Sequence, residues 1–151
     1  MEILVPDFNF VIDGKKSVRK VSDLLKFWDD TKAAQEAIST GDSIVYEVYA
    51  CETEGEGELS YALTVLYPGK IGMEFYMTKG HFHQKLTGEV YLCLRGEGKL
   101  VLENKQGDTK ILEMSPGKIT YVPAGYAHRS VNTGKDKLEF MAVYNTDAGH
   151  D

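Results

Sequence analysis

The sequence predicts an all-β antiparallel sandwich or barrel, with one or two short helices confined to its N-terminal end. Three observations carry this. From Ser43 onward, short runs rich in Val, Leu, Tyr and Ile alternate in polarity, as half-buried strands do. Turn signals interrupt these runs at intervals of roughly 8–12 residues, the rhythm of an all-β domain. Helical patterning occurs only before Ser43. A chain of 151 residues fits one domain with its own core. Residues 1–42 read as an arm and short helices packed on a barrel formed by residues 43–151.

The elements follow in order. Residues 1–20 look like an extended arm, and its basic run KKSVRK (15–20) reads as a solvated face or a pairing partner for carboxylates. Ser22 can cap a short turn carrying Leu24, Leu25 and Trp28. A helix then runs from Thr31 through Ala33, Ala34, Ala37 and Ile38, and Gly41 stops it. The strand candidates are SIVYEVYA (43–50), LSYALTVLY (59–67), EVYLCLR (89–95), KLVLEN (99–104), TKILEM (109–114) and LEFMAVY (138–144). Turns separate them at 54–57, Pro68-Gly69, 96–98, 106–108, Pro116-Gly117 and Thr133-Gly134. The acidic stretch CETEGEGE (51–58) reads as an exposed hairpin tip.

Composition narrows the function classes. Apolar residues make up 42% and charged ones 26%, ordinary values for a globular protein. A formal charge of −6 argues against a nucleic-acid surface, which needs basic excess to displace counterions. No run approaches the roughly 20 apolar residues of a membrane span. Cys51 and Cys93 lack metal-ligand or redox spacing, so they read as small core or surface residues of a reducing compartment rather than a disulfide. MEILVPDFNF contains no basic leader followed by an apolar run, and the cytoplasm is the expected location.

All four histidines lie after residue 80. His81 and His83 stand two apart in an apparent strand, so both side chains leave one face while Phe82 points the other way. Glu89 follows a turn at Thr87-Gly88 and opens a strand expected to run antiparallel to the first, returning its carboxylate to that face. His128 follows the turn Pro123-Ala124-Gly125, on a strand expected to close the barrel opposite the histidine pair. Three imidazoles and a carboxylate suit one divalent transition metal, Fe, Mn, Ni, Co or Zn, with positions left for water or substrate. An HxH pair alone is weak evidence, since surface or core histidines produce it too. The surrounding glycine and proline framework raises its weight.

Gly117, Pro123, Gly125, His128 and Asn132 form the string G-x5-P-x-G-x2-H-x3-N. With the HxH pair, Glu89 and Gly96, this resembles the paired motifs of the cupin superfamily. The resemblance implies a double-stranded β-helix, or jelly-roll barrel. The first motif departs from the pattern: Phe75 stands where it has Gly, and five residues separate His83 from Glu89. The blocks YEVYA (46–50), TVLYPGK (64–70), TKGHFH (78–83), EVY (89–91), AHRSVN (127–132) and DAGHD (147–151) are similar, more narrowly, to the archaeal cupin-type glucose-6-phosphate isomerases. Chains of that family continue past DAGHD, so a longer natural protein is expected.

That resemblance implies a metal-dependent aldose–ketose isomerase of glucose 6-phosphate, acting in glycolysis and gluconeogenesis as a homodimer. It implies Fe2+ as the first expectation for the metal and assigns phosphate binding to the positions of Thr64, Thr78 and Gly80. Lys79 adds an ammonium beside them. Glu89 is the candidate base, carrying a proton between C1 and C2 through a cis-enediol; a direct hydride shift is the rival route. Tyr91 shares the face of Glu89 and can hydrogen-bond sugar hydroxyls. Tyr144 and His150 match positions near the substrate, with His150 a candidate for ring opening. Each tyrosine is equally a good packing residue. A metal-dependent dioxygenase and a non-catalytic sugar-phosphate module are the competing classes, because cupins host many functions.

Overall fold

Alternating side chains after Ser43 need two partners: a core on one face and water or a neighbour on the other. The computed structural model, which describes residues 15–149, satisfies this with two antiparallel sheets packed into one hydrophobic core. The elements are β1 (Lys15–Lys20), a 3-10 turn (Ser22–Phe27), α1 (Thr31–Ser39), β2 (Ile44–Cys51), β3 (Leu59–Leu66), β4 (Lys70–Ile71) and β5 (Glu74–Phe75). They continue with β6 (Glu89–Arg95), β7 (Gly98–Asn104), β8 (Thr109–Met114), β9 (Ile119–Val122), β10 (Tyr126–Asn132) and β11 (Leu138–Asn145). The larger sheet has the order β1-β2-β3-β11-β6-β9, the smaller β10-β7-β8, and β4-β5 is a separate small hairpin. This is the all-β cupin jelly roll. No described helix is long and apolar enough to cross a membrane.

The basic run 15–20 forms the edge strand of the larger sheet, pairing with β2 from Lys15↔Ala50 to Lys20↔Ile44. Lys16 turns outward to Glu47 at 3.9 Å. Ser22 does not cap the turn that follows. Val21 occupies that position without a capping side chain. The Ser22 hydroxyl and N–H instead donate to the Asp42 carboxylate, at 2.6 and 2.9 Å. Asp42 reaches them from a left-handed conformation, φ +47°, just past α1. Asp30 caps α1 by accepting from the Ala33 N–H at 2.9 Å, and Thr40 closes its other end before Gly41.

Register determines what the larger sheet presents inward. Ala50, Ala62 and Ala142 stand side by side on three neighbouring strands, followed by Tyr91 on β6. Three methyl groups in a row leave room that larger side chains would fill. The parallel row Val48–Thr64–Phe140–Cys93 and the row Tyr144–Glu89–Val122 border that space. The smaller sheet closes the core with Leu100, Leu102 and Met114. Strand β9 is short, and its Ile119 and Tyr121 face outward while Thr120 and Val122 are buried.

Asn132 ends the second histidine motif and is fully buried. Its amide donates to the Leu66 and Asp136 carbonyls at 2.9 Å each and accepts from the Gly134 N–H at 3.0 Å. The motif asparagine is therefore a structural pin that ties β10 to β3 and closes the 133–136 turn. A buried amide with three partners offsets its desolvation, and its loss would strand three polar groups.

Candidate active site

Three side chains from residues 81–89 and a fourth from β10 converge inside the barrel. One donor atom from each of His81, His83, Glu89 and His128 lies within 4.8 Å of all the others. Glu89 is 5% exposed and His128 3%. The Nε2 atoms of His83 and His128 each stand 3.0 Å from the same Glu89 oxygen, Oε2.

The route to this convergence differs from the expected one. The His81–His83 segment is irregular chain with isolated bridges rather than a strand. It does not pair with β6, whose neighbours are β11 and β9. His128 is not opposite the pair but beside it: its backbone N–H donates to the His81 carbonyl at 3.3 Å. The same segment is laced to β10 by the Thr78 N–H to the Ser130 carbonyl (2.9 Å) and the Ser130 N–H to the Thr78 hydroxyl (3.0 Å). A short irregular segment hydrogen-bonded along β10 thus replaces a full strand. The five-residue spacer after His83 is held from outside. Gln84 and Lys85 donate their N–H groups to the Gly149 and Ala148 carbonyls, at 3.3 and 2.9 Å.

The donor set fits a divalent ion. Two ligands about 2.1 Å from an ion and at right angles lie about 3.0 Å apart, close to the two histidine–glutamate separations. The His83 tautomer is also suited. Its Nδ1 meets the Thr87 carbonyl at 3.2 Å and the Thr87 hydroxyl at 3.1 Å, so Nδ1 carries the proton and Nε2 presents its lone pair. Burial alone would push the Glu89 carboxyl up, but the facing His128 and His83 imidazoles, wherever an Nε2 carries a proton, outweigh it and hold the group at about 2; a bound ion would take the place of those protons. His83 is raised in turn by its bond to Glu89. A carboxylate kept ionised beside neutral-capable imidazoles is the state a metal requires.

The cluster opens on a cavity of about 410 Å3 lined by His81, Glu89 and His128. Of the other residues the sequence nominated, Thr64, Thr78, Lys79, Tyr91 and Tyr144 line it too. Gly80 is set back: a Cβ there would stand 3.5 Å from the Arg129 side chain and from the His128 carbonyl. His150 lies outside the described residues. Tyr91 stacks on Phe140 with ring centroids 5.2 Å apart and meets His128 edge-on at 5.6 Å. Burial raises its hydroxyl, and burial with the Glu52 and Glu89 charges raises that of Tyr144, so both stay protonated donors at neutral pH.

The cavity also takes residues that sequence reasoning passed over. Tyr46 reaches across it, its hydroxyl accepting from the Lys79 N–H at 3.4 Å. Arg19 and Glu52 line its walls. Tyr46 lay in one of the blocks that carried the resemblance, which was a usable signal. Nothing in a short basic run marks which of its side chains faces inward. Cys51 and Cys93 form no disulfide with one another, and burial pushes the Cys93 thiol up to about 11, away from reactivity.

A model of the glucose-6-phosphate isomerase family matches residues 18–151. The chain belongs to that family. It is 51% identical over 144 residues to the glucose-6-phosphate isomerase of Pyrococcus furiosus, covering 93% of this chain and 76% of that one. To the glucose-6-phosphate isomerase of Thermococcus litoralis it is 50% identical over 141 residues, 92% of this chain and 74% of that one. Among solved structures, oxalate decarboxylase of Bacillus subtilis superposes with a TM-score of 0.59 at 22% identity, over 71% of this chain. The chain spans only 27% of that protein's length, and the likeness is one of fold. Family membership and the four-residue cluster thus rest on separate observations, one of sequence and one of geometry.

Proposed function

We propose that the chain is a metal-dependent glucose-6-phosphate isomerase, interconverting glucose 6-phosphate and fructose 6-phosphate in the cytoplasm as a step of glycolysis and gluconeogenesis. The observation that carries the reading is the buried cluster His81, His83, Glu89 and His128 opening directly on a cavity that Thr64, Thr78 and Lys79 also line. Those four residues would hold one divalent transition metal, with Fe2+ as the first expectation and Ni, Mn, Co or Zn as alternatives. Such an ion supplies Lewis acidity toward the oxygens at C1 and C2 of the sugar.

The chain's own residues supply the rest. Thr64, Thr78 and Lys79, with the backbone at Gly80, bind the phosphate dianion. Tyr91 and Tyr144, held protonated, donate to sugar hydroxyls and fix the chain of carbons along the cavity. Glu89 moves the proton between C1 and C2 through a cis-enediol. As a ligand of that ion Glu89 would be a poor base, so it would have to loosen from coordination when substrate arrives before it takes a proton from carbon. His150, beyond the described residues, is assigned ring opening.

The test is a coupled isomerase assay on metal-stripped protein re-supplied with one ion at a time. Full activity after complete stripping would end this reading. Run in deuterium oxide, the proton route puts label at C2 of glucose 6-phosphate, whereas product with no label at C1 or C2, even at partial conversion, would count strongly against it. A homodimer belongs to the same reading. Tyr61, Val143, Val90 and Tyr121 form an exposed row across four strands on the outer face of the larger sheet, a surface suited to a second copy. Sedimentation giving a monomer mass at every concentration would remove that part.

A further inference from the structure

We propose that Arg19, on the edge strand β1, is a phosphate-binding residue whose guanidinium grips the sugar phosphate at the end of the cavity away from Glu89; this deepens the isomerase reading and rests on it. Strand register puts the residue there. Arg19 pairs with Tyr46 and Ser17 with Val48, and all four line the cavity. Lys16 and Lys20, one step out of phase, leave by the opposite face. The Tyr46 hydroxyl, 3.4 Å from the Lys79 N–H, spans the gap between β2 and the segment leading to His81. Arg19, Tyr46 and Lys79 therefore close one end of the cavity together.

Charge along the cavity is segregated. The charges that act on Tyr46 are those of Arg19 and Arg129 with one carboxylate, Asp23, and its hydroxyl takes the Lys79 backbone N–H, while the carboxylates of Glu52 and Glu89 act on Tyr144. Tyr46 and Glu52 are separated by about 20 Å of extended chain. A hexose phosphate is polar in the same sense, a dianion at one end and a neutral carbonyl at the other. Donors for the dianion at the Arg19 end leave C1 and C2 free to reach Glu89. Arginine suits the task because its planar fork offers several N–H groups to phosphate oxygens at once. One donor is engaged by the Val18 carbonyl at 3.0 Å, which holds the side chain along its strand. The guanidinium is otherwise exposed, so replacing it disturbs no core contact.

The test compares Arg19→Ala and Arg19→Lys with the wild type, each as full-length, metal-loaded protein with its melting curve checked. Calorimetric titration with inorganic phosphate reads the site without turnover. Arg19→Ala is expected to weaken phosphate roughly 10- to 100-fold. KM for glucose 6-phosphate should rise by a similar factor, with a much smaller change in kcat, and Arg19→Lys should recover part of both. Phosphate affinity and KM within twofold of wild type in Arg19→Ala would overturn the proposal, as would a wild type that binds no phosphate. Phosphate binding that depends on Arg19 in a protein lacking isomerase activity would support the site while removing the isomerase reading.

Discussion

Replacing Gly96 by alanine measures how tightly the joint between β6 and β7 is built. Gly96 has φ +80°, and a Cβ there would stand 2.4 Å from the Lys137 carbonyl oxygen, 2.9 Å from Leu138 Cα and 3.0 Å from the Lys137 carbonyl carbon. All three are backbone atoms where β11 begins, so no side chain can swing aside to relieve the overlap. The left-handed conformation costs a residue with a Cβ about 1–2 kcal/mol. Overpacking adds about 1–3 kcal/mol. Gly107 provides the control, because it has φ +88° but nothing within 4 Å of an added Cβ. Gly107→Ala therefore carries the conformational cost alone. At about 2–4 °C per kcal/mol for a domain of this size, Gly96→Ala should melt roughly 5–20 °C below wild type and Gly107→Ala roughly 2–8 °C below. Thermal melts followed by circular dichroism, with urea midpoints alongside, read the difference. Metal affinity should fall in Gly96→Ala only, since β6 carries Glu89. Equal melting points for the two variants would refute the steric argument.

Other perturbations reach the site and its supports. His128→Ala removes one of four convergent donors from a buried position, and both bound metal and isomerase activity should fall by at least ~100-fold; a variant that keeps one tightly held ion by elemental analysis would contradict the ligand set. Thr87→Val deletes the hydroxyl 3.1 Å from His83 Nδ1 but leaves the carbonyl at 3.2 Å, so metal affinity should drop about 10-fold. A titration showing unchanged affinity would mean the carbonyl alone orients the ring. Asp42→Ala removes both bonds to Ser22 and should cost about 1–2 kcal/mol in urea unfolding at neutral pH. The Ser22 hydroxyl holds the Asp42 carboxyl below its usual value. Its stabilisation is thus present above the unfolded-state pKa and is lost as pH falls through the folded one. The gap between Asp42→Ala and wild type should therefore close in acid; a gap that widened there would reverse the assignment.

Much of the fold was legible because alternation and turn chemistry are local. The runs 89–95 and 109–114 coincide with β6 and β8. Among the strands that went unmarked, β9 has four residues between two prolines, β4 and β5 have two each, and β1 is a basic run read only as part of an extended arm. Ser22 illustrates the opposite error. Its local role as a cap lost to a partner twenty positions away, because Asp42 could satisfy both its N–H and its hydroxyl.

The ligand chemistry of the site was decided along the chain. Three histidines and a glutamate at motif spacing, framed by glycines and a proline that dictate where the backbone turns, name the donors and the class of ion they suit. Register and neighbour relations between strands settled the rest, because pairing partners are chosen by burial over the whole molecule rather than by adjacent residues. They set His128 beside His81 instead of across from it, aligned three alanines into the floor of a cavity, and turned one arginine of a basic run inward beside Tyr46.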